Sequence, residues 1–324
     1  MFLPAKNFLD FSPNPSLASR IRKIKMLKGE KQMAKKAPVS EIIEIQAIEM
    51  ASLDFHVVGT SPFIMHRFSQ KAWQELLLPS IRENRASLEQ KLKHDPYAEF
   101  RGAFYRNSNP RAKTAYHIPN GAFHGAIASA ALDMPGAKKA QIERLTKITS
   151  VNIELYGIPK IFCSMVRNSD ISRTPDVRTR PIFPRWACTV SVRYAKNALT
   201  AKAVANLFGA AGEIIGIGDW RGQKGGPFGA FRTNVSVNDK EFKSILKEGR
   251  VAQLKAYDKP LFYDEDTEEI LTWFATEVRR RELEGKMRSD NVKEFRVITE
   301  RGKERGNGEL VSLDDKRRTR RKAA

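Results

Sequence analysis

Gly216-Ile217-Gly218-Asp219-Trp220-Arg221-Gly222-Gln223-Lys224-Gly225-Gly226-Pro227-Phe228-Gly229-Ala230-Phe231 joins a helical pattern to a strand pattern and decides how the rest of the chain is read. Six glycines in fourteen residues allow the backbone to turn its amides outward and to approach a ligand closely. Arg221 and Lys224 add positive charge to the same loop. It is not a Walker loop, because no Gly-Lys-Ser/Thr closes it and no helix follows; a dinucleotide fingerprint fails for the same reason. The bland alternative is a glycine-rich connection with no ligand.

Working outward, Thr200 stands where it can cap a helix presenting Val204, Leu207, Phe208 and Ala211 on one face and ending at Gly212. Downstream, Phe231, Thr233, Val235 and Val237 alternate as a strand does. Leu53, Phe55 and Val57 do the same and stop at Gly59-Thr60-Ser61-Pro62. Asn120 can cap a helix whose apolar face is Phe123, Ile127 and Ala130 or Ala131, broken at Pro135-Gly136. Two further strands are expected at Val151, Ile153 and Leu155, and at Cys188, Val190, Val192 and Tyr194.

Two segments interrupt this order: a helical stretch from Ser69 to Lys93 (Trp73, Leu76, Leu77, Ile81, Leu88 and Leu92 at helical spacing), and Pro159 to Trp186. With them set aside, the chain runs strand, helix, strand, strand, helix, strand. That predicts an α+β fold of the ferredoxin-like, RNA-recognition-motif kind, with a four-stranded antiparallel sheet and one face free for a ligand.

The 324 residues, 41% hydrophobic and 29% charged, exclude a wholly disordered chain, and the net charge of +20 points to a polyanionic partner. Nucleic acid comes first and an anionic membrane surface second. The charge is uneven: residues 1–40 hold nine basic and two acidic side chains, and residues 301–324 nine and four. Both flanks are expected to be solvated arms, and Met33 is an alternative start. Two cysteines and five scattered histidines supply neither a four-thiolate zinc site nor a disulfide framework, so no metal and no cofactor are expected, in a reduced, cytoplasmic protein. The longest run free of charged residues, Thr114 to Leu132, contains Pro119, Asn120 and two histidines, so no membrane span is expected.

A second motif matches the loop in its implication. The pattern G-x-G, several residues, then K-G-G-x-x-G-x-aromatic, together with Ile118-Pro119-Asn120-Gly121-Ala122-Phe123-His124-Gly125-Ala126-Ile127 leading into the first helix, resembles the RAMP superfamily of CRISPR-associated proteins. The resemblance covers residues 50 to 240 and is nearest the crRNA-binding backbone subunits; it extends to phage and mobile-element relatives. It implies a palm at 50–240 with a helical insertion at 69–115 and a basic, thumb-like insertion at 158–186. Around the palm are expected an arm at 1–45, a helical extension at 241–290 and a basic tail at 291–324. It also implies copies stacked along a guide RNA, as a homo-oligomer or multisubunit ribonucleoprotein.

The thumb-like insertion holds Lys160, Arg167, Arg173, Arg178, Arg180 and Arg185 against Asp170 and Asp176, with Phe162, Phe183 and Trp186 interleaved. Arginine forks bind phosphate and aromatic faces stack bases, a combination suited to single strands. The competing reading is a solvated loop whose rings pack inward. Ser61-Pro62-Phe63-Ile64-Met65-His66-Arg67-Phe68 places His66 and Arg67 after the first strand. The expected nucleic-acid site is thus His66, Arg67, Arg167, Arg173, Arg178, Arg180, Phe183, Arg185, Trp186, Gly218, Trp220, Arg221, Lys224, Gly225 and Gly226. No residue compels a catalytic role, although His66 or His124 would serve a metal-independent endoribonuclease. A phage-type single-stranded DNA-binding or annealing protein is the third reading.

Overall fold

The alternation of Leu53, Phe55 and Val57 becomes β1 (Met50–Gly59), which lies inside the main sheet of the computed structural model. The structure describes residues 47–68, 94–167 and 174–283, with Leu77 and Leu92 between them. All described elements belong to the unit that begins at Ile48. The arm at 1–45, most of the helical stretch from Ser69 to Lys93, Arg173 and the tail at 291–324 lie outside the described residues.

In chain order β1 is followed by β2 (Phe63–Ile64), α1 (Pro96–Gly102), β3 (His117–Pro119), α2 (Asn120–Ala130), α3 (Lys139–Leu145), β4 (Thr146–Ile148) and β5 (Asn152–Glu154). Then come β6 (Lys160–Arg167), β7 (Pro175–Phe183), β8 (Ala187–Ala195), α4 (Ala201–Ala210), β9 (Phe231–Arg232), α5 (Lys240–Leu246), α6 (Arg250–Asp258) and α7 (Glu265–Leu283). β1 pairs along its length with β8, from Met50 opposite Ala195 to Val58 opposite Ala187. The main sheet has the order β4-β8-β1-β9, and every pairing in it is antiparallel. With α2 and α4 as the two crossings, this mixed α/β architecture is compatible with a ferredoxin-like arrangement.

The core lies between that sheet and the two crossing helices. Val57, Val190 and Val192 face Phe123 and Ile127 of α2 and Val204 and Phe208 of α4, all fully buried. Phe208 lies 4.6 Å from Phe55, 5.8 Å from Phe123 and 5.6 Å from Phe231, ring centre to ring centre. Thr200 caps α4 by accepting the Ala203 N–H at 3.1 Å. Asn120 does not cap α2; Pro119 occupies the cap, and the Asn120 N–H donates to the Val151 carbonyl.

Two strands differ from expectation. The second strand of the main sheet is Thr146–Ile148 rather than the run through Val151, Ile153 and Leu155. Ile153 and Leu155 are buried, but their segment turns away after Thr149 and Ser150, and β5 pairs with β3 instead. Ahead of that polar break only Ile148 is apolar, Thr146 being buried as a polar residue, so the run at 151–155 carries the stronger pattern. β9 is also short, because beyond Arg232 the chain leaves the sheet and Val235 buries against Phe242 and Ile245 of α5. Between α4 and the glycine-rich loop, Ala211–Ile215 widens into a π-helical turn rather than stopping at Gly212.

The arginine-rich insertion is a packed hairpin. β6 and β7 pair from Lys160 opposite Ile182 to Arg167 opposite Pro175, and β2 adds to β7 to give the order β2-β7-β6. Asp95 caps α1 by accepting the Tyr97 and Ala98 N–H groups, and α1 lies on β7, where the Glu99 carboxylate accepts the Thr179 N–H at 3.0 Å. His94 reaches Glu99 at 2.7 Å with one ring nitrogen and Asp176 at 3.1 Å with the other, tying the approach to α1 to the hairpin. α7 closes the other side, with Leu271, Ala275 and Val278 buried and Thr267 accepting the Cys163 N–H. In α6 the fully buried Gln253 accepts the Ala115 N–H and donates to the Leu155 and Gly157 carbonyls.

Candidate nucleic-acid interface

Three segments that the sequence singles out meet at one cleft of about 490 Å³. Its walls are Phe63 to His66, in and just after β2, Pro119 and the first turns of α2 (Gly121, Ala122, Gly125), and the loop residues Ile217, Gly218, Asp219, Arg221 and Gln223. Lys139 and Glu143 of α3, which packs on α2, complete the lining. Apolar side chains (Phe63, Ile118, Ile217) and polar ones (His66, Lys139, Glu143, Asp219, Arg221, Gln223) share its lining, as in most ligand clefts.

Close approach of two chain segments builds the loop side. Gly218 has φ +85°, and a Cβ there would come within 2.5 Å of the Phe63 ring and 2.6 Å of the Ile64 carbonyl, so only glycine fits. The loop is thereby pressed against β2, and the Asp219 N–H donates to the Ile64 carbonyl. Asp219 is the hub. Its carboxylate meets His66 Nδ1 at 3.2 Å, accepts from the Arg180 guanidinium and accepts the Trp220 N–H at 2.9 Å. The His66 hydrogen bond first, and then the charge and hydrogen bond of Arg180, hold the Asp219 carboxyl well below the usual carboxylate range against the opposing effect of burial.

The residues expected from sequence divide sharply. His66 and Arg221 line the cleft, and Lys224 stands exposed on the same loop. The Arg221 guanidinium is held in place by the Gly218 carbonyl at 3.2 Å and the Gln223 side-chain oxygen at 2.8 Å. Gly225, in the left-handed region, and Gly226 complete the turn. Arg67 is exposed, and next to burial its charge helps push His117 down from its ordinary pKa.

The hairpin residues correct the expectation. Phe183 and Trp186 are fully buried, with Trp186 donating to the Ser61 carbonyl at 2.9 Å, so neither ring is available to stack a base. Arg180, 2% exposed, is spent on Asp219 and on Ser164 at 2.6 Å and cannot reach a phosphate. Arg185 bonds the Ser244 hydroxyl and lies 3.7 Å from Glu248. Arg167 is exposed, and Arg178 is partly so, 3.7 Å from Asp176. Phe183 and Trp186 sit at the root of the hairpin, where β7 enters the core, which composition alone does not distinguish from its outer part. His124 accepts no catalytic reading either: its Nε2 lies 3.0 Å from both the Glu143 and Thr146 carbonyls, joining α2 to the end of α3.

The open face of the main sheet also differs from an RNA-recognition motif. Alternate residues of β1 and β8 there are Ser52, Asp54 and His56 and Thr189, Ser191 and Arg193, with no aromatic platform, and Phe242 of α5 packs on His56 at 5.0 Å. Lys139, Glu143 and Asp219 are site residues that motif reading missed. The first two carry no local signal, and the role of Asp219 depends on His66, 153 residues away.

Among the described residues no group of three or more His, Cys, Asp or Glu side chains is arranged to hold a metal ion, and no helix is long and apolar enough to cross a membrane. No protein-family model and no curated protein matches the sequence. Among solved structures the chain is similar to Cmr6 from Pyrococcus furiosus, at 11% identity over 58% of this chain and 100% of that one, with a TM-score of 0.26. The strand order and the two crossings define the fold independently of that likeness.

Proposed function

We propose that this chain is a RAMP-like, non-enzymatic protein that binds single-stranded nucleic acid, RNA in preference to DNA, in the cleft between β2, α2 and the glycine-rich loop. In this reading the main sheet and its helices are a ferredoxin-like palm, and β6 and β7 form the thumb-like insertion. Phosphates meet Arg221, Lys224, Lys139 and His66, and copies repeat side by side along the strand in the cytoplasm. The single observation that carries the reading is the convergence of three motifs, far apart in sequence, on one cleft. Arg221, Lys139 and His66 line the cleft beside Glu143 and an Asp219 already paired with Arg180, and the open glycines Gly121 and Gly125 leave the α2 backbone accessible, which suits a phosphodiester chain. The test is titration of a labelled 30-nucleotide RNA and its DNA counterpart into purified protein. Binding that favours RNA and falls by about 0.7 log units per log unit of salt for each phosphate neutralised supports it, and no binding to either strand rejects it.

One observation favours a second reading as a metal-independent endoribonuclease. His66 lines the cleft with Nδ1 held by an ionised Asp219, an arrangement that orients an imidazole and leaves its other nitrogen for proton transfer. Incubation of labelled RNA in EDTA decides: cleavage abolished by His66→Ala selects the enzyme, and intact RNA selects the binding protein.

A further inference from the structure

Trp220 lies outside the cleft although the residues on both sides of it line the cleft. Among the described residues it is the one non-glycine residue with positive φ, at +49°, a conformation that costs a bulky side chain energy and has to be enforced by its surroundings. Three contacts enforce it. The Asp219 carboxylate accepts its N–H, its carbonyl accepts the Phe228 N–H, and Gly226 lies against it so closely that a Cβ would fall 2.2 Å from the indole Cδ1. The residue so held is 42% exposed.

Behind it runs a file of rings. Trp220 packs on Phe228 at 5.5 Å, Phe228 on Phe162 at 6.0 Å and Phe162 on Tyr263 at 5.4 Å. Phe162 stands opposite Arg180 on the hairpin, and Arg178 is one step further out on the same face, its side chain 39% exposed. Lys224 is exposed in the same loop as the indole.

We propose that this aromatic shelf is a second contact for the strand, where an unpaired nucleobase stacks on the Trp220 indole as the backbone leaves the cleft over the loop. The inference rests on the cleft reading above. A nucleobase is the occupant that the geometry favours: the shelf continues from the cleft across one loop, its indole is fixed by the loop backbone and half-open to solvent, and Lys224 of the same loop is exposed, while the neighbouring Asp219 carboxylate is already paired with Arg180 and His66. Preorganised stacking on one ring discriminates bases from sugar-phosphate without reading sequence.

The experiment compares an ordinary 12-nucleotide single strand with an abasic strand of equal length, on wild type, Trp220→Gly and Trp220→Phe. Glycine accepts the positive φ, so its variant keeps the loop while losing the ring; a thermal melt equal to wild type within a few degrees confirms this. The expected result is a roughly tenfold or larger loss of affinity of Trp220→Gly for the ordinary strand, partial recovery in Trp220→Phe, and equal affinities of all three proteins for the abasic strand. An unchanged affinity of Trp220→Gly for the ordinary strand overturns the shelf while leaving the cleft reading in place, and so does an equal loss on both strands. Failure of the wild type to bind either strand overturns the cleft reading itself.

Discussion

Arg180 and Asp219 illustrate why a residue count misjudges a basic insertion. An arginine that is 2% exposed has given up its hydration, and its charge is balanced by one carboxylate. Asp219→Asn removes that balance, so a loss of about 3–5 kcal/mol in unfolding free energy is expected, measurable as a shift in the urea midpoint. The sign with pH follows from the depressed carboxyl. Asp219 contributes stability at neutral pH, where it is ionised both folded and unfolded, and loses it as pH falls below the ordinary carboxylate range near about pH 4 toward its lower folded value. The wild type therefore destabilises more steeply in acid than Asp219→Asn, in melts recorded across that range. Gly125 offers the opposite case. It is an exposed helix-interior glycine lining the cleft, and a Cβ there meets nothing within 4 Å. Gly125→Leu is expected to raise stability by about 0.5–1 kcal/mol through helix propensity and to weaken strand binding by filling the cleft. Parallel melts and titrations separate the two effects.

At the level of elements, local chemistry was legible wherever one segment decides its own conformation. The Thr200 cap, the apolar face of α2 and the alternation of β1 all stand where the pattern puts them. What was not legible depends on partners distant in sequence. β4 takes the far end of β8, with the Thr149 N–H on the Ser191 carbonyl at 3.0 Å, whereas β5 pairs with β3 and the chain returns to β8 only at Tyr156 opposite Ala187. The arginines and aromatics of the hairpin read as a strand-binding thumb until α1 and α7 are seen to lie on it and its rings to pack inward. His94 holds that packing through two carboxylates. His94→Leu should leave the main sheet intact and loosen the hairpin, seen as faster amide exchange in β6 and β7 with little change in β1 and β8.

For the whole molecule, the net charge of +20 separates into parts with different meaning. Some of the hairpin arginines serve the fold, whereas Arg221, Lys139 and Lys224 face the cleft or the solvent above it. Arg221→Ala combined with Lys224→Ala should reduce the magnitude of the salt slope by about 0.7 for each phosphate no longer neutralised, whereas Arg180→Met should alter stability and leave the slope unchanged. The three walls of the cleft also come from the chain at 63–66, 119–125 and 217–223. β1 gains its second neighbour, β9, only at Phe231. During synthesis, therefore, the first of these walls waits for more than 150 residues before the last can be laid beside it. The cleft is therefore completed late in the making of each chain, and under the proposed reading a ligand finds its site only after Phe231 has joined the sheet.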